Sequence, residues 1–302
     1  MDKSSSRTDL LDPFALSRIE DFNLLGRMVA EGVYGGLHKS IHHGRGTEFF
    51  QYRNYSPGED LKFVDWKVFA RSNNLYSKTF EEETNTTCYL VLDTSASMSY
   101  KGSRSPCHKL RYASMAAAAL AYLANRQGDA VGLYAYGEEI NEWIEPRTGQ
   151  DHLQAVYHAL NRLKPEGQSG HKNGWSTLLN RLPGRGIVLF FSDMLEAESE
   201  LPELLKFGQS IRYDSLALQI LDPDELDLPY NEALEFSAME ERKFIPAYPE
   251  AIRENYQQRM NGFCKKLHDS LAGVGAQHMR VHTSQSLGEA LGFFLHHRER
   301  RG

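Results

Sequence analysis

The sequence predicts a three-layer α/β fold, a mainly parallel sheet flanked by helices and preceded by a helical, loop-rich segment. Three observations predict it. From residue 86 onward, apolar runs of strand length alternate with helical patterns, the order expected of βαβ units. The first run, Thr86-Thr-Cys-Tyr-Leu-Val-Leu-Asp93, lacks polar alternation, as a strand covered on both faces should. Size agrees as well: a chain of 302 residues buries on the order of three quarters of its unfolded surface and needs no disulfide or metal staple.

Taken in order, residues 14–34 predict a helix whose apolar positions are Phe14, Leu16, Ile19, Phe22, Leu25 and Val29. Residues 35–85 are polar, aromatic and rich in turn signals such as Gly35-Gly36 and Ser56-Pro57-Gly58. We therefore expect residues 1–85 to form an N-terminal helix with a loop-rich or small β segment packed on the core. Residues 86–302 would form the α/β domain. Within it, a helix is expected over His108 to Asn125, ended by Gln127-Gly128, then a strand over Ala130 to Tyr136. A helix at Asp151 to Leu163, a strand at Ile187 to Phe191, a helix at Glu198 to Gly208 and a strand at Tyr213 to Ile220 continue the alternation. An irregular insert near 222–250 precedes a helix at 250–271 and a closing strand and helix.

Composition narrows the function. Hydrophobic residues make up 41% and charged residues 25%, which excludes disorder, collagen and coiled coil. The balance of 34 basic to 40 acidic residues, net −6, argues against a nucleic-acid partner. The aromatic stretch 39–78 has seven basic and four acidic side chains, a net of only +3, too weak for a nucleic-acid footprint. Three cysteines without a C-x-x-C argue against a disulfide framework or zinc ribbon. The N-terminus is polar, and the most apolar helical stretch, Met115 to Ala124, is ten residues long, against about 20 for a membrane span. A cytoplasmic protein with no membrane span is the expectation.

One motif carries chemistry. The first strand ends in Asp93-Thr94-Ser95-Ala96-Ser97, which places a carboxylate and two hydroxyls around one turn. A second strand ends in Phe191-Ser192-Asp193-Met194 and offers another carboxylate. Ligands of open parallel sheets bind beyond the carboxyl ends of strands near the switch in strand order. Oxygen-only donors suit a hard cation, Mg²⁺ first, with Mn²⁺ or Ca²⁺ as alternatives. The plainer reading of Asp93, Ser95 and Ser97 is helix capping, which the second strand-end Asp weakens.

This Asp-x-Ser-x-Ser with a later strand-end Asp resembles the metal-ion-dependent adhesion site of von Willebrand factor type A domains. The resemblance implies Asp93, Ser95, Ser97 and Asp193 as ligands, joined by a hydroxyl from a later loop. Ser169 in Gly167-Gln168-Ser169 stands at the family's spacing for that hydroxyl, with Thr177 the alternative. A second resemblance is narrower. Arg53-Asn-Tyr55-Ser-Pro57-Gly58-Glu59-Asp60-Leu61, then Asp65-Trp66-Lys67 and Ala70-Arg71, is similar to the bacterial family called "domain of unknown function 58". Leu221-Asp222-Pro223, Tyr256 and Leu291 to Leu295 extend the likeness. Arg53, Tyr55, Asp60, Asp65, Trp66, Lys67 and Arg71 read as an ion-pair and stacking cluster pinning the N-terminal segment, or as a partner-binding set.

That family implies a non-catalytic adaptor working with a MoxR-type AAA+ ATPase, a partner's acidic side chain completing the metal site. A structural scaffold with an empty site and a metal-dependent hydrolase are the rivals. A dehalogenase-type phosphotransferase would need an acid where Ser95 stands. Neither a Gly-x-Ser-x-Gly elbow nor a phosphate-binding Gly-x-x-x-x-Gly-Lys-Ser/Thr loop is present.

Overall fold

A computed structural model describes residues 12–40, 52–54, 69, 71, 76–78, 86–168, 177, 181, 185–195, 213–237, 239 and 244–292. The chain divides into two compact units, Met1–Leu37 with Thr86–Gly302, and His38–Asn85. The larger unit is a mixed α/β structure with a mostly parallel sheet covered by helices.

Its N-terminal part is two helices where the sequence pattern reads as one. Helix α1 is Pro13–Leu16 and α2 is Phe22–Ser40. The break has a cause: Ser17 closes α1, and the Asp21 carboxylate accepts from the Asn23 and Leu24 N–H groups at 2.8 and 3.3 Å, starting a new helix. Phe14 consequently points to solvent, whereas Leu16, Phe22, Leu25, Val29 and Val33 are buried. These side chains join the same core as the sheet, which is why residues up to 37 group with the α/β body and the division does not fall only at 85.

The six-stranded sheet is built from β3 (Thr87–Asp93), β4 (Ala130–Tyr136), β5 (Ile140–Arg147), β6 (Gly186–Ser192), β7 (Tyr213–Leu221) and β10 (Gln277–His282). Two short antiparallel pairs account for the remaining labels: β1 (Tyr52–Asn54) with β2 (Tyr76–Lys78) in the smaller unit, and β8 (Leu234–Ser237) with β9 (Phe244–Ala247) in the insert. Strand order in the large sheet is β10-β7-β6-β3-β4-β5, all parallel except the β4–β5 pair. The chain runs outward from β3 to one edge, then returns to β6 and runs to the other. Strand order therefore reverses between β3 and β6.

Three helices are central to the layers: α3 (Lys109–Arg126), α4 (Gln150–Arg162) and α6 (Pro249–Gly273), with a short α5 (Pro223–Asp227) after β7. Alternation along β3 sends Cys88, Leu90 and Leu92 into one core with α2, α3 and α4. Tyr89 and Val91 enter a second core with Leu267 and Leu271 of α6. Both faces of β3 are thus buried. Alanines at 113, 116–119, 121 and 124 thin α3, letting α2 approach so closely that a Cβ on Gly26 would lie 2.8 Å from the Ala118 carbonyl oxygen. The predicted helix at 198–208 lies outside the described residues.

Candidate metal centre

The reversal of strand order puts the ends of β3 and β6 side by side. Their parallel register runs from Thr87–Gly186 to Leu92–Phe191, so Asp93 and the Ser192-Asp193 pair leave adjacent strands at the same level. The Asp93 carboxylate is fully buried. Its Oδ1 accepts from the Ser95 N–H at 2.8 Å and its Oδ2 from the Ser192 hydroxyl at 2.7 Å. Ser95 Oγ and Ser97 Oγ lie 3.0 Å apart and share a hydrogen bond. The Ala96 N–H donates to the Gly167 carbonyl at 2.9 Å and the Glu166 N–H to the Thr94 carbonyl at 2.9 Å. The loop that leads into Ser169 therefore runs beside the motif, while Ser169 itself lies outside the described residues. Thr177 occupies a helical position.

Asp193 is aimed by its neighbours. Ser192 Oγ accepts from the Met194 N–H at 2.9 Å, and Met194 adopts φ 58°, a left-handed turn that L side chains seldom take. Leu195 N–H donates to Asp193 Oδ1 at 3.2 Å, and Gln219 Nε2 donates to the Asp193 carbonyl at 3.1 Å. The second carboxylate oxygen, Oδ2, is 2.8 Å from Lys109 Nζ. Burial pushes the Asp193 carboxyl up. The Lys109 ammonium and hydrogen bonds from Lys109, Ser97 and the Leu195 N–H more than offset this and hold it below the usual carboxylate range.

Lys109 is a residue the sequence pattern did not single out. Its side chain is completely buried, with Glu225 Oε1 at 2.7 Å as a second partner. Burial acts to lower its pKa, and the two carboxylates reverse that and keep it charged. The Glu225 carboxyl is pushed up, because its burial outweighs the ammonium. The one sequence signal is position: a lysine at the first turn of α3 sits at the wrong end of the helix dipole unless a carboxylate answers it. Ser192 was visible beside Asp193, but its bond to Asp93 follows from strand register.

The loop joining the motif to α3 is tied down by α5. Gly102 N–H donates to Asp222 Oδ2 at 2.9 Å, Ser103 N–H to Asp224 Oδ2 at 2.7 Å, and Arg104 pairs with Asp224 and Asp227. Asp222 caps α5, and Glu225 Oε2 accepts from the Asp222 N–H at 2.8 Å in a capping box. The Glu225 side chain so fixed is the one that holds Lys109.

These residues fit a hard divalent cation. The donors are all oxygen: two carboxylates and two hydroxyls on adjacent strand ends. Gln219, on β7 opposite Ser192, carries a buried amide oxygen with no hydrogen-bond partner among the described residues. Formal charges of Asp93, Asp193, Glu225 and Lys109 sum to −2, from three carboxylates and one ammonium. No cluster of three or more His, Cys, Asp or Glu side chains close enough to hold a metal is found among the described residues, so hydroxyls are needed to complete the set. A separate cavity of about 340 Å³ between α6 and β10, lined by residues including Cys264, His268 and His278, shares no residue with the strand-end site.

Of the upstream cluster, Arg53 lies in β1 and Arg71 is an exposed residue in a helical position. Tyr55, Asp60, Asp65, Trp66 and Lys67 lie outside the described residues.

An uncharacterized protein of Mycobacterium tuberculosis is 27% identical over 231 residues, covering 75% of this chain and 71% of its own length. An uncharacterized protein of Mycobacterium bovis matches equally. Among solved structures, the conserved hypothetical protein BatB from Bacteroides thetaiotaomicron is similar at TM-score 0.46 and 13% identity, over 71% of this chain and 99% of that one. An aerotolerance-related membrane protein from Bacteroides fragilis is similar at TM-score 0.46 and 15% identity, over 68% and 96%. An uncharacterized membrane spanning protein from Vibrio fischeri gives TM-score 0.22 at 15% identity, over 70% and 97%. Two of these proteins are named as membrane proteins, and the cytoplasmic expectation is withdrawn: a polar N-terminus reports on one short segment and does not fix a compartment. No helix among the described residues is long and apolar enough to cross a membrane. Residues 51–262, more than half of the chain, match the family described as "Protein of unknown function DUF58", and the chain belongs to that family.

Proposed function

We propose that this chain is a non-catalytic, metal-dependent protein-binding adaptor, with a von Willebrand factor type A-like adhesion site that serves a MoxR-type AAA+ ATPase. The observation that carries the reading is that Asp93, Ser95, Ser97 and Ser192 are joined by hydrogen bonds, and Ser97 also bonds Asp193, where strand order reverses. A divalent cation bound there, Mg²⁺ or alternatively Mn²⁺ or Ca²⁺, would present an open coordination position to a carboxylate of the partner. The chain's own residues do the positioning. Ser192 and the Ser95 N–H orient Asp93, the Met194 turn aims Asp193, and the Gly167 carbonyl holds the Ser95–Ser97 turn in place. Ser95 and Ser97 hydroxyls bond each other, an arrangement suited to ligation and not to activating a nucleophile.

The test is retention of a purified MoxR-type ATPase on the immobilised chain, in Mg²⁺ and in EDTA, with Asp93→Ala alongside. Retention should require Mg²⁺ and fall by at least about tenfold in the variant, equivalent to 1.4 kcal/mol. Equal retention in EDTA would overturn the metal-dependent reading.

A further inference from the structure

We propose that Lys109 is a resident cation of this site, a tethered ammonium that competes with the divalent metal and sets its affinity. The inference rests on the reading of Asp93 and Asp193 as cation ligands. Lysine is among the residues least often buried without a partner, yet this side chain is completely enclosed and lies 2.8 Å from Asp193 Oδ2 and 2.7 Å from Glu225 Oε1. The Tyr100 ring, 5.7 Å from Nζ, lines the same pocket. Nothing about α3 itself calls for a cation at its first turn, where the helix dipole opposes one. The position is set from outside the helix: Asp193 comes from the end of β6, and Glu225 from a capping box on α5. A metal ligated by Asp193 would therefore share a carboxylate with an ammonium that cannot move into solvent. An ammonium and a dication about 5–6 Å apart repel by about tenfold in affinity even at the dielectric of bulk water, so an ammonium sharing a carboxylate with a metal would weaken its binding. The site then discriminates by charge: it rests neutralised in part by lysine, and only a multivalent cation adds enough attraction to bind beside it.

Mn²⁺ binding, read from the electron paramagnetic resonance signal of the free ion, tests this without any activity assay. Three proteins are compared: the wild-type chain, Lys109→Met, and the double variant Lys109→Met with Glu225→Gln. The double variant keeps the net charge of the site and removes one of the two carboxylates that Lys109→Met alone would strand, leaving Asp193 with its Leu195 N–H, so it remains informative if the single variant fails to fold. The expected result is Mn²⁺ bound at least about tenfold more tightly by the variants than by wild type. Variants that bind while wild type does not would also support the resident cation, and would overturn the metal-dependent function of the native chain. Wild type and folded variants binding equally would overturn the inference and leave the metal site standing. If none of the three binds Mn²⁺, both ideas fail.

Discussion

At the scale of single residues, the site depends on side chains that position others. Ser192 both donates to Asp93 at 2.7 Å and accepts from the Met194 N–H at 2.9 Å, so one hydroxyl ties the Asp93 carboxylate to the turn that follows Asp193. Ser192→Ala should cost about 1–3 kcal/mol, since a buried acceptor and a buried N–H both lose their partner. Equilibrium urea unfolding checks this, and a loss below about 0.5 kcal/mol would show that water replaces the hydroxyl. Much of the site was legible because Asp93, Ser95 and Ser97 form a motif within one turn, and because Asp193 ends its own apolar run. Lys109 and Glu225 were not legible in the same way. Their pairing joins positions 116 residues apart through the close approach of α3 and α5, and no local pattern encodes it.

At the scale of elements, the loop from the motif to α3 is the part with least room to change. A Cβ on Gly102 would collide with Asp222 Oδ1 and Asp224 Oδ2, the two carboxylates that cap and clamp this loop. Gly102→Ala should therefore destabilise the fold by about 1–3 kcal/mol, the range for overpacking a tight site. It should also loosen Lys109, measurable as faster amide exchange over residues 102–109. Unchanged exchange would mean that the loop adjusts without cost. The strands that escaped sequence reading share a reason. β5 is an edge strand with exposed Ile140, acidic Glu142 and Glu145, and Pro146 where its register against β4 shifts. β8 and β9 are four residues each and largely exposed, so neither shows a buried apolar run. By contrast β4 was readable end to end, because six of its seven residues are buried. Helix α2 and its predecessor were read as one because their apolar spacing continues across the Asp21 cap.

At the scale of the whole molecule, acid should act first through a group outside the site. Burial, with added repulsion from His268 and Arg280, pushes His278 down to about 4, and its Nε2 has no hydrogen-bond partner among the described residues. The unfolded chain takes up this proton near pH 6.5 and the folded chain does not, so stability is lost as pH falls from about 6.5 towards 4, by up to about 3 kcal/mol. His108 and His282 are depressed as well and act with the same sign. Glu225, raised by its burial, gains its proton earlier in the fold as pH falls and so opposes them. Denaturation at pH 7 and at pH 4.5 should show the loss, and His278→Gln should shrink it; an unchanged slope would remove His278 as the cause. Asp193 and Asp224, both held low, add a further loss only below about pH 4. The doubly wound order, with its reversal between β3 and β6, gives the molecule an edge where strand-end oxygens meet, and divalent metal is the ligand expected there. Calorimetric titration of Mg²⁺ into the wild-type chain and into Asp93→Ala tests it most directly. Wild type should bind one equivalent, with about 2.7 kcal/mol of added stability at 100 times the dissociation constant, and the variant none. A folded wild-type chain that takes up no Mg²⁺, or a variant that binds it equally well, would contradict it.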